Sequence, residues 1–198
     1  MIMSNPHRIA ITGASGTGKT TLAEALMQQS WFSRLVKTMI PEGSRELLKS
    51  LGYASFDNLT RPELREFQRL FFLRKQEAES NLGSYLVDRS FVDVAAIWVE
   101  RDTFDHSLEI QNELVIPCSN LAKKYTLHIH VPDETFAFYQ NGVRETDMLL
   151  HRRIATRVRR YLHDWDLPNF SLESSSVEMR VEEIFTEFEY RGLIIPPA

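Results

Sequence analysis

One motif restricts the fold of this chain more than any other, a glycine-rich octapeptide at positions 13–20. It reads Gly-Ala-Ser-Gly-Thr-Gly-Lys-Thr and fits the phosphate-binding pattern G-x4-G-K-[ST]. The apolar segment from Arg8 to Thr12 predicts a strand before it, and the segment from Lys19 to Gln29 predicts an amphipathic helix after it. Glycines let main-chain N–H groups approach an anion, and the helix N-terminus adds positive partial charge. We therefore predict a loop that binds the phosphates of a nucleotide.

The residues of this loop receive individual roles. Lys19 is expected to reach the β- and γ-phosphates, and the Thr20 hydroxyl is expected to bind Mg²⁺. Nucleotide binding is assigned to Gly13, Ala14, Ser15, Gly16, Thr17, Gly18, Lys19, Thr20 and Thr21. The alternative is a chance glycine-rich turn, and the strand before the loop and the helix after it argue against that interpretation. ATP is thus the expected co-substrate and Mg²⁺ the expected metal.

The rest of the chain alternates short apolar segments with amphipathic ones. The predicted strands are Arg8–Thr12, Leu35–Ile40, Ser84–Val87, Tyr125–Val131 and Leu167–Leu172. The predicted helices are Lys19–Gln29, Ser44–Leu51, Pro62–Asn81, Val92–Arg101, Ser107–Lys123 with a break near Pro117, Leu149–Trp165 and Ser176–Tyr190. Strands separated by helices over the whole length predict an α/β fold, in which helices cover both faces of a parallel sheet.

Composition excludes several classes of protein. The single cysteine, Cys118, excludes an internal disulfide and a cysteine-based zinc site. His128 and His130 share one face of a strand, but without an evident third ligand we expect packing rather than metal binding. A net charge of −4 argues against nucleic-acid binding. No signal peptide and no apolar run of roughly 18 residues is evident, so we expect residues 1–198 to form one cytoplasmic domain without a membrane span.

The third predicted strand ends in a motif that distinguishes among phosphate-loop proteins. It continues as Asp88-Arg89-Ser90, where a motor or an AAA ATPase usually has Asp-Glu. The Asn-Lys-x-Asp string of GTPases does not occur in the sequence. Asp88 is the expected second anchor of Mg²⁺, and Arg89 is expected to neutralise a phosphate or orient the substrate. The competing interpretation is an ion pair in an ordinary turn.

Two further segments supply candidate catalytic groups. Glu42 follows the second predicted strand and is expected to face the phosphate loop, where its carboxylate would accept the proton of an attacking hydroxyl. The alternative is a charge that favours the start of a helix. Arg144, with Arg152 or Arg153 in the next helix, is expected to neutralise the transferred group. The later arginines of that helix, such as Arg157, are expected on a solvated face, with contact to RNA or acidic lipid as an alternative.

Taken together, these motifs resemble those of a known family. In order they are G-x4-G-K-T-T at 13, P-E-x-x-R at 41–45, D-R-S-x-x-D at 88–93 and N-G-V-R-E-x-D at 141–147. The set is similar to that of P-loop AAA-domain ATPases and kinases of the nicotinamide-riboside-kinase type, a family that includes the kinase domain of the bacterial NAD-biosynthesis regulator. Deoxynucleoside and thymidylate kinases resemble the chain more distantly. The resemblance covers roughly Arg8 to Ile184 and implies a three-layer P-loop NTPase fold with five parallel strands in the order 2-3-1-4-5, and a short lid at about 138–148.

The resemblance also implies roles for individual residues. Lys19 and Thr20 would serve the nucleotide and Mg²⁺, Asp88 would serve the metal or act as the base, and Arg144 would be the lid arginine. The residues assigned to substrate binding are Glu42, Arg45, Arg89 and Asp93. Apart from the resemblance, periodicity does not identify the acceptor pocket, and the candidates for its lining on the long helix are Phe67, Gln68 and Arg74. Asn141 departs from the family pattern, which often has an acidic residue there.

We therefore expect an ATP-dependent kinase that moves a γ-phosphoryl group to a hydroxyl of a nucleoside-like acceptor, such as nicotinamide riboside. Lys19, Mg²⁺ and Arg144 would position and neutralise the group, with Glu42 or Asp88 as the base. Two alternatives remain, a regulatory switch that binds ATP or GTP and a simple NTPase. The expected partners are the nucleotide and the small acceptor. The sequence leaves the oligomeric state open, with a dimer as one alternative.

Overall fold

The computed structural model describes residues 6–101, 107–133 and 148–194. Its strands are β1 (Arg8–Thr12), β2 (Thr38–Ile40), β3 (Tyr85–Asp88), β4 (Leu127–His130) and β5 (Asn169–Ser171). Its helices are α1 (Lys19–Met27), α2 (Ser30–Leu35), α3 (Ser44–Ser50), α4 (Arg61–Glu79), α5 (Phe91–Arg101), α6 (Leu108–Ala122), α7 (Met148–Asp164) and α8 (Val177–Tyr190). A short 3₁₀ turn, Phe56–Asn58, precedes α4.

The strands form a parallel sheet in the order β2-β3-β1-β4-β5. Ile9 of β1 pairs with Leu86 on one side and with Leu127 on the other, which places β1 at the centre. Parallel neighbours need long crossover connections, and helices separate each strand from the next along the chain. The fold class and the strand order expected from the sequence are therefore confirmed.

Helices cover both faces of the sheet, so the molecule has three layers. One apolar cluster joins one face of the sheet to α1, α2 and α8, and its helical members include Leu22, Leu26, Phe32, Ile184 and Phe188. The other cluster joins the opposite face to α3 through α7, and its helical members include Leu48, Phe67, Phe71, Trp98 and Val158. The central strands are buried on both faces, which explains why their sequences are apolar almost without interruption.

The structure corrects two predicted boundaries. The second strand begins at Thr38 rather than at Leu35, because Ser30–Leu35 form α2. Phe32 is fully buried and packs with Trp31 and Phe188, so aromatic packing stabilises a helix in a segment that the sequence leaves unassigned, and this helix takes in Leu35.

The predicted break near Pro117 is also absent from α6, which is continuous from Leu108 to Ala122. Proline removes one main-chain hydrogen bond from a helix interior. Leu114 and Cys118, on either side of it, are buried in the cluster that includes α5, and this packing accommodates the loss.

The loops that follow β1, β2 and β3 lie at the carboxyl edge of the sheet, where ligands of open α/β sheets bind. They carry, respectively, the phosphate loop, Glu42 and Arg89. Positions 138–147 of the predicted lid lie outside the described residues, and α7 begins at Met148. Within the described ranges, no helix is both long enough and apolar enough to cross a bilayer.

Candidate active site

The phosphate loop connects β1 directly to the N-terminus of α1. Gly16 and Gly18 adopt φ values of 82° and 83°, in the left-handed region that glycine enters without steric cost. Gly13 has φ 141°, and a Cβ there would lie 2.3 Å from the carbonyl oxygen of Val131. Glycine is therefore required where the loop passes the end of β4. The result is a turn that leads into the first turn of α1, the geometry expected of an anion site.

Lys19 is buried inside the loop. Its ammonium donates to the carbonyl oxygen of Ala14 and lies 3.4 Å from the Thr17 hydroxyl. Burial, and next the positive charge of Arg89, lower the pKa of Lys19 to about 8, against the opposing pull of nearby carboxylates. A cation with this little hydration is poised to interact strongly with a phosphate.

Thr20 and Asp88 meet at the end of the loop. The Thr20 hydroxyl donates to Asp88 Oδ2 at 2.5 Å. Asp88 Oδ1 is buried and accepts no hydrogen bond from the residues that the structure describes. Mg²⁺ prefers oxygen ligands and takes only one or two from the protein, with water and phosphate supplying the rest. Although the described ranges contain no cluster of three or more His, Cys, Asp or Glu suited to a metal, this hydroxyl–carboxylate pair fits Mg²⁺.

Arg89 links the phosphate loop to the end of β2. Its Nε lies 2.8 Å from Glu42 Oε1, and its Nη2 donates to the Ser15 hydroxyl at 2.7 Å. The main chain of Arg89 has φ 73°, an uncommon value for a residue with a side chain. The turn after β3 therefore directs a buried guanidinium across the carboxyl edge of the sheet.

Glu42 is the carboxylate that receives this guanidinium. Ser44 donates to the same oxygen, Oε1, at 2.7 Å, while Oε2 accepts no hydrogen bond from the described residues. Burial raises the pKa of Glu42, but the charge of Arg89, the Ser44 hydroxyl and then Lys19 and Arg45 outweigh it, so the pKa is below its usual value. The side chain is 25% exposed. Glu42 is thus an ionised carboxylate with one oxygen held in place and the other available to a ligand.

Asp93, which the sequence assigns to substrate binding, is buried among main-chain and hydroxyl donors of the protein. Its Oδ2 accepts from the Thr12 hydroxyl and the Ser90 N–H, each at 2.7 Å. Its Oδ1 accepts from the N–H of Gly13 at 2.9 Å, and the residue is 1% exposed. The carboxylate therefore joins β1, the start of the phosphate loop and the turn after β3.

The arginines expected to neutralise phosphate differ in their exposure and in their ion-pair partners. Arg144 lies outside the described residues. Arg152 is exposed on α7, whereas Arg153 lies 3.2 Å from Glu100 Oε2. Arg157 is not on a solvated face as predicted, because its Nη2 lies 2.6 Å from Glu100 Oε1. Glu100 is buried, so Arg153 and Arg157 tie α7 to α5. Arg45 is exposed on α3, close enough to Glu42 to lower its pKa.

The three residues predicted to line the acceptor pocket differ in how far they are buried. Phe67 is buried and stacks on Phe71 with ring centroids 6.2 Å apart. Gln68 is 4% exposed and lines a narrow groove between α4 and α5, with Trp98 opposite. Arg74 is exposed on α4. Of the two polar residues predicted to line the pocket, Gln68 is therefore buried and Arg74 is exposed.

Two buried cations near the site were missed by the sequence reasoning. Arg180 of α8 donates to the Thr17 carbonyl at 3.1 Å, and Lys75 of α4 donates to the Arg89 carbonyl at 2.6 Å. Each lies four residues from a buried aromatic or aliphatic side chain of its own helix, Ile184 and Phe71 respectively. A basic residue on an apolar helical stripe was the signal that could have found them.

Comparison with known protein families identifies the family of this chain. A model of the AAA domain family matches residues 8–180. No curated protein sequence matches the chain.

Several solved structures share the fold. A deoxyadenosine kinase from M. mycoides has a TM-score of 0.69 at 14% identity, covering 92% of this chain and 98% of that one. The NadR protein in complex with NR has a TM-score of 0.70 at 16% identity, covering 97% of this chain and 53% of that one, so this chain spans about half of NadR. Thymidylate kinase from Candida albicans has a TM-score of 0.64 at 13% identity, covering 99% and 98%.

At these identities the structural likeness shows a shared fold, that of the P-loop kinases. The family model spans the phosphate loop and all the strands of the sheet. The chain belongs to the AAA domain family.

Proposed function

We propose that the protein is an ATP-dependent kinase that transfers the γ-phosphoryl group to a hydroxyl of a nucleoside-like acceptor, with nicotinamide riboside as the first candidate. The observation that carries the proposal is the Arg89 guanidinium, which joins Glu42 Oε1 at 2.8 Å to the Ser15 hydroxyl of the phosphate loop at 2.7 Å. An ionised carboxylate linked in this way to the phosphate loop suits the activation of a hydroxyl acceptor.

Glu42 is the general base in this proposal, rather than Asp88. Asp88 is engaged with the Thr20 hydroxyl, whereas Glu42 Oε2 accepts no hydrogen bond from the described residues. The acceptor hydroxyl gives its proton to Glu42 as its oxygen bonds to the γ-phosphorus. The bond between that phosphorus and the bridging β-oxygen breaks, and ADP leaves with the electron pair.

Charge neutralisation is the second part of the proposal. Lys19 and the N–H groups at the start of α1 stabilise the negative charge of the phosphates in the transition state. The Thr20 hydroxyl and the Asp88 carboxylate would hold Mg²⁺. When bound, Mg²⁺ offsets the charge of the β- and γ-phosphates.

The acceptor class is supported by the fold neighbours, since two of them carry names that mention deoxyadenosine and NR. The groove between α4 and α5, beside Gln68 and Trp98, has a volume of about 10 Å³, which is too small for a nucleoside ring, so we do not place the acceptor there.

The test is transfer of radiolabelled γ-phosphate from ATP to a nucleoside panel that begins with nicotinamide riboside. Label on a nucleoside is the expected result. Glu42→Gln should lower kcat by about 100-fold or more, since a general base contributes roughly that much, and should leave the nucleotide Kd nearly unchanged. Glu46→Gln is the matched control, because Glu46 is an exposed carboxylate on α3, the helix that begins two residues after Glu42.

Two results would contradict the proposal. Label that appears only as free phosphate would identify a simple NTPase. Tight ATP binding with no turnover against any acceptor would instead favour a regulatory switch.

A further inference from the structure

Lys75 is a buried cation that the proposed reaction does not yet use. It lies on α4, is 7% exposed and follows the buried Phe71 by one helical turn. Its ammonium donates to the carbonyl oxygen of Arg89 at 2.6 Å and lies 2.7 Å from Glu79 Oε1. Burying an ammonium is costly unless specific partners compensate it. Lys75 has two such partners, the Arg89 carbonyl and the Glu79 carboxylate.

The first partner is the main chain of Arg89, which is in the left-handed region with φ 73°. Such a conformation is unfavourable for a residue with a side chain, so it persists only where surrounding contacts hold it. Both polar main-chain groups of Arg89 are hydrogen-bonded. Its N–H donates to the Ile11 carbonyl at 2.9 Å, and its carbonyl accepts from the Lys75 ammonium. These two bonds determine the direction in which the Arg89 side chain leaves the main chain.

The second partner, Glu79, fixes the position of the ammonium. Glu79 accepts from the Tyr85 hydroxyl at 2.8 Å and from the Tyr125 hydroxyl at 2.9 Å. Lys75 also lies over the Phe91 ring, 5.1 Å from its centroid. Because Glu79 is bonded to residues that begin or precede two central strands, Lys75 is anchored to the sheet rather than to a loop.

We propose that Lys75 is a positioning residue for the transfer reaction. Its ammonium holds the left-handed turn at Arg89, and this turn directs the Arg89 guanidinium to Glu42 and Ser15. Lys75 itself touches neither nucleotide nor acceptor. The inference rests on the proposed function, because the transfer reaction is what makes the link between Glu42 and the phosphate loop useful.

The first experiment is a double-mutant cycle on kcat/KM for the acceptor. Lys75→Met should lower kcat/KM about tenfold in the wild-type background and less than about twofold in an Arg89→Ala background, because Lys75 acts through Arg89. Equal losses in both backgrounds would overturn the proposal. Lys123→Met is the matched control, since Lys123 is exposed just after α6, and it should leave kcat/KM unchanged.

If Lys75→Met fails to fold, a second variant still tests the proposal. Removing only the cation leaves Glu79 buried without its ion pair, whereas Lys75→Met with Glu79→Gln removes both charges. The glutamine oxygen can still accept from the Tyr85 and Tyr125 hydroxyls. The double variant should show the same dependence on Arg89 in the cycle.

The second experiment reads the position of Arg89 without turnover. The Nε–H resonance of Arg89, identified by its loss in Arg89→Lys, should be protected from solvent exchange in the wild type and lose that protection in Lys75→Met. The Nε–H of Arg157, which donates to Glu100 at 2.7 Å, is the internal reference and should not change. An unchanged Arg89 resonance in Lys75→Met would overturn the inference. If the wild type transfers no phosphate, the proposed kinase fails while this measurement still decides the role of Lys75.

Discussion

At the scale of single residues, Lys19 is surrounded by charges that act in opposite directions. Burial and the nearby Arg89 lower its pKa to about 8, whereas Asp93, Asp88 and Glu42 oppose that shift. Near this pH the protein contains Lys19 in both protonation states. A phosphate favours the ammonium, so binding of a nucleotide shifts Lys19 towards its charged form.

Nucleotide binding should therefore take up protons when it is measured near pH 8, and affinity should fall as the pH rises further through the pKa of about 8. Calorimetric titrations in two buffers of different ionisation enthalpy measure this uptake. Lys19→Arg should abolish the uptake, because a guanidinium keeps its charge throughout this range. Uptake that persists in Lys19→Arg would show that another group titrates.

Asp93, predicted from the sequence to bind substrate, is bonded in the structure to groups of the protein itself. Asp93→Asn should lower the free energy of unfolding by about 2–4 kcal/mol, because an amide N–H₂ would face the donors now held by the carboxylate. Urea unfolding measures the loss. Asp57→Asn, at an exposed position, should change stability by less than about 0.5 kcal/mol. Unchanged stability with a higher acceptor KM would instead support the substrate-binding role predicted from the sequence.

At the scale of elements, α8 is tied to the phosphate loop by a fully buried arginine. Arg180 donates through Nη1 to the Thr17 carbonyl at 3.1 Å and through Nε to the Ser174 carbonyl at 2.8 Å. Thr17 and Arg180 are 163 positions apart in the chain. The guanidinium fork therefore connects the phosphate loop to the turn that precedes α8.

Arg180→Lys should weaken nucleotide binding about tenfold, because a single ammonium does not reproduce the fork that reaches both carbonyls. Titration of a fluorescent nucleotide analogue measures the Kd. Arg191→Lys is the control, since Arg191 caps the other end of α8 and pairs with Glu187. Should Arg180→Lys lose stability but bind nucleotide as the wild type does, Arg180 would support α8 alone.

Elements with a strong local pattern were predictable, and elements that depend on distant packing were not. The strand, glycine loop and helix around positions 13–20 follow from local chemistry. The six residues of α2 have no side-chain N-cap, and their helix depends on the contact of Trp31 with Phe188. A propensity argument does not detect such a contact.

The same distinction applies to the candidate site. The contact of Thr20 with Asp88 was predictable, because Thr20 begins the helix after the β1 loop and Asp88 ends β3, the strand next to β1. The path of the Arg89 side chain does not, because it depends on a left-handed main chain held by Lys75, which lies 14 positions earlier. The parallel sheet determines which side chains come close together, whereas tertiary contacts determine how those side chains are oriented.

At the scale of the whole molecule, two buried histidines of β4 couple stability to pH. Burial lowers the pKa values of His128 and His130 to about 4 each. The unfolded chain binds protons near pH 6.5, whereas the folded chain does so only near pH 4. Their contribution to stability is therefore present above pH 6.5 and is lost as the pH falls through this window.

Acidification from pH 7 to pH 5 should cost about 2 kcal/mol for each of these histidines, which urea unfolding at the two pH values measures. His130→Asn should reduce this pH dependence, since an amide can still bond to Ser171 but does not titrate. His163→Asn should leave the dependence unchanged, because that imidazole is exposed. A pH dependence in His130→Asn equal to that of the wild type would mean that other groups cause it.

The central place of β1 has a consequence for synthesis of the chain on the ribosome. Its neighbours β3 and β4 lie 77 and 118 positions further along, so β1 emerges well before either partner exists. At about 5–20 residues per second, translation leaves the middle of the sheet open for roughly 6–24 seconds. During that time an apolar strand and its glycine loop are exposed to solvent. A pause in translation before Leu127 would lengthen this exposure and increase aggregation.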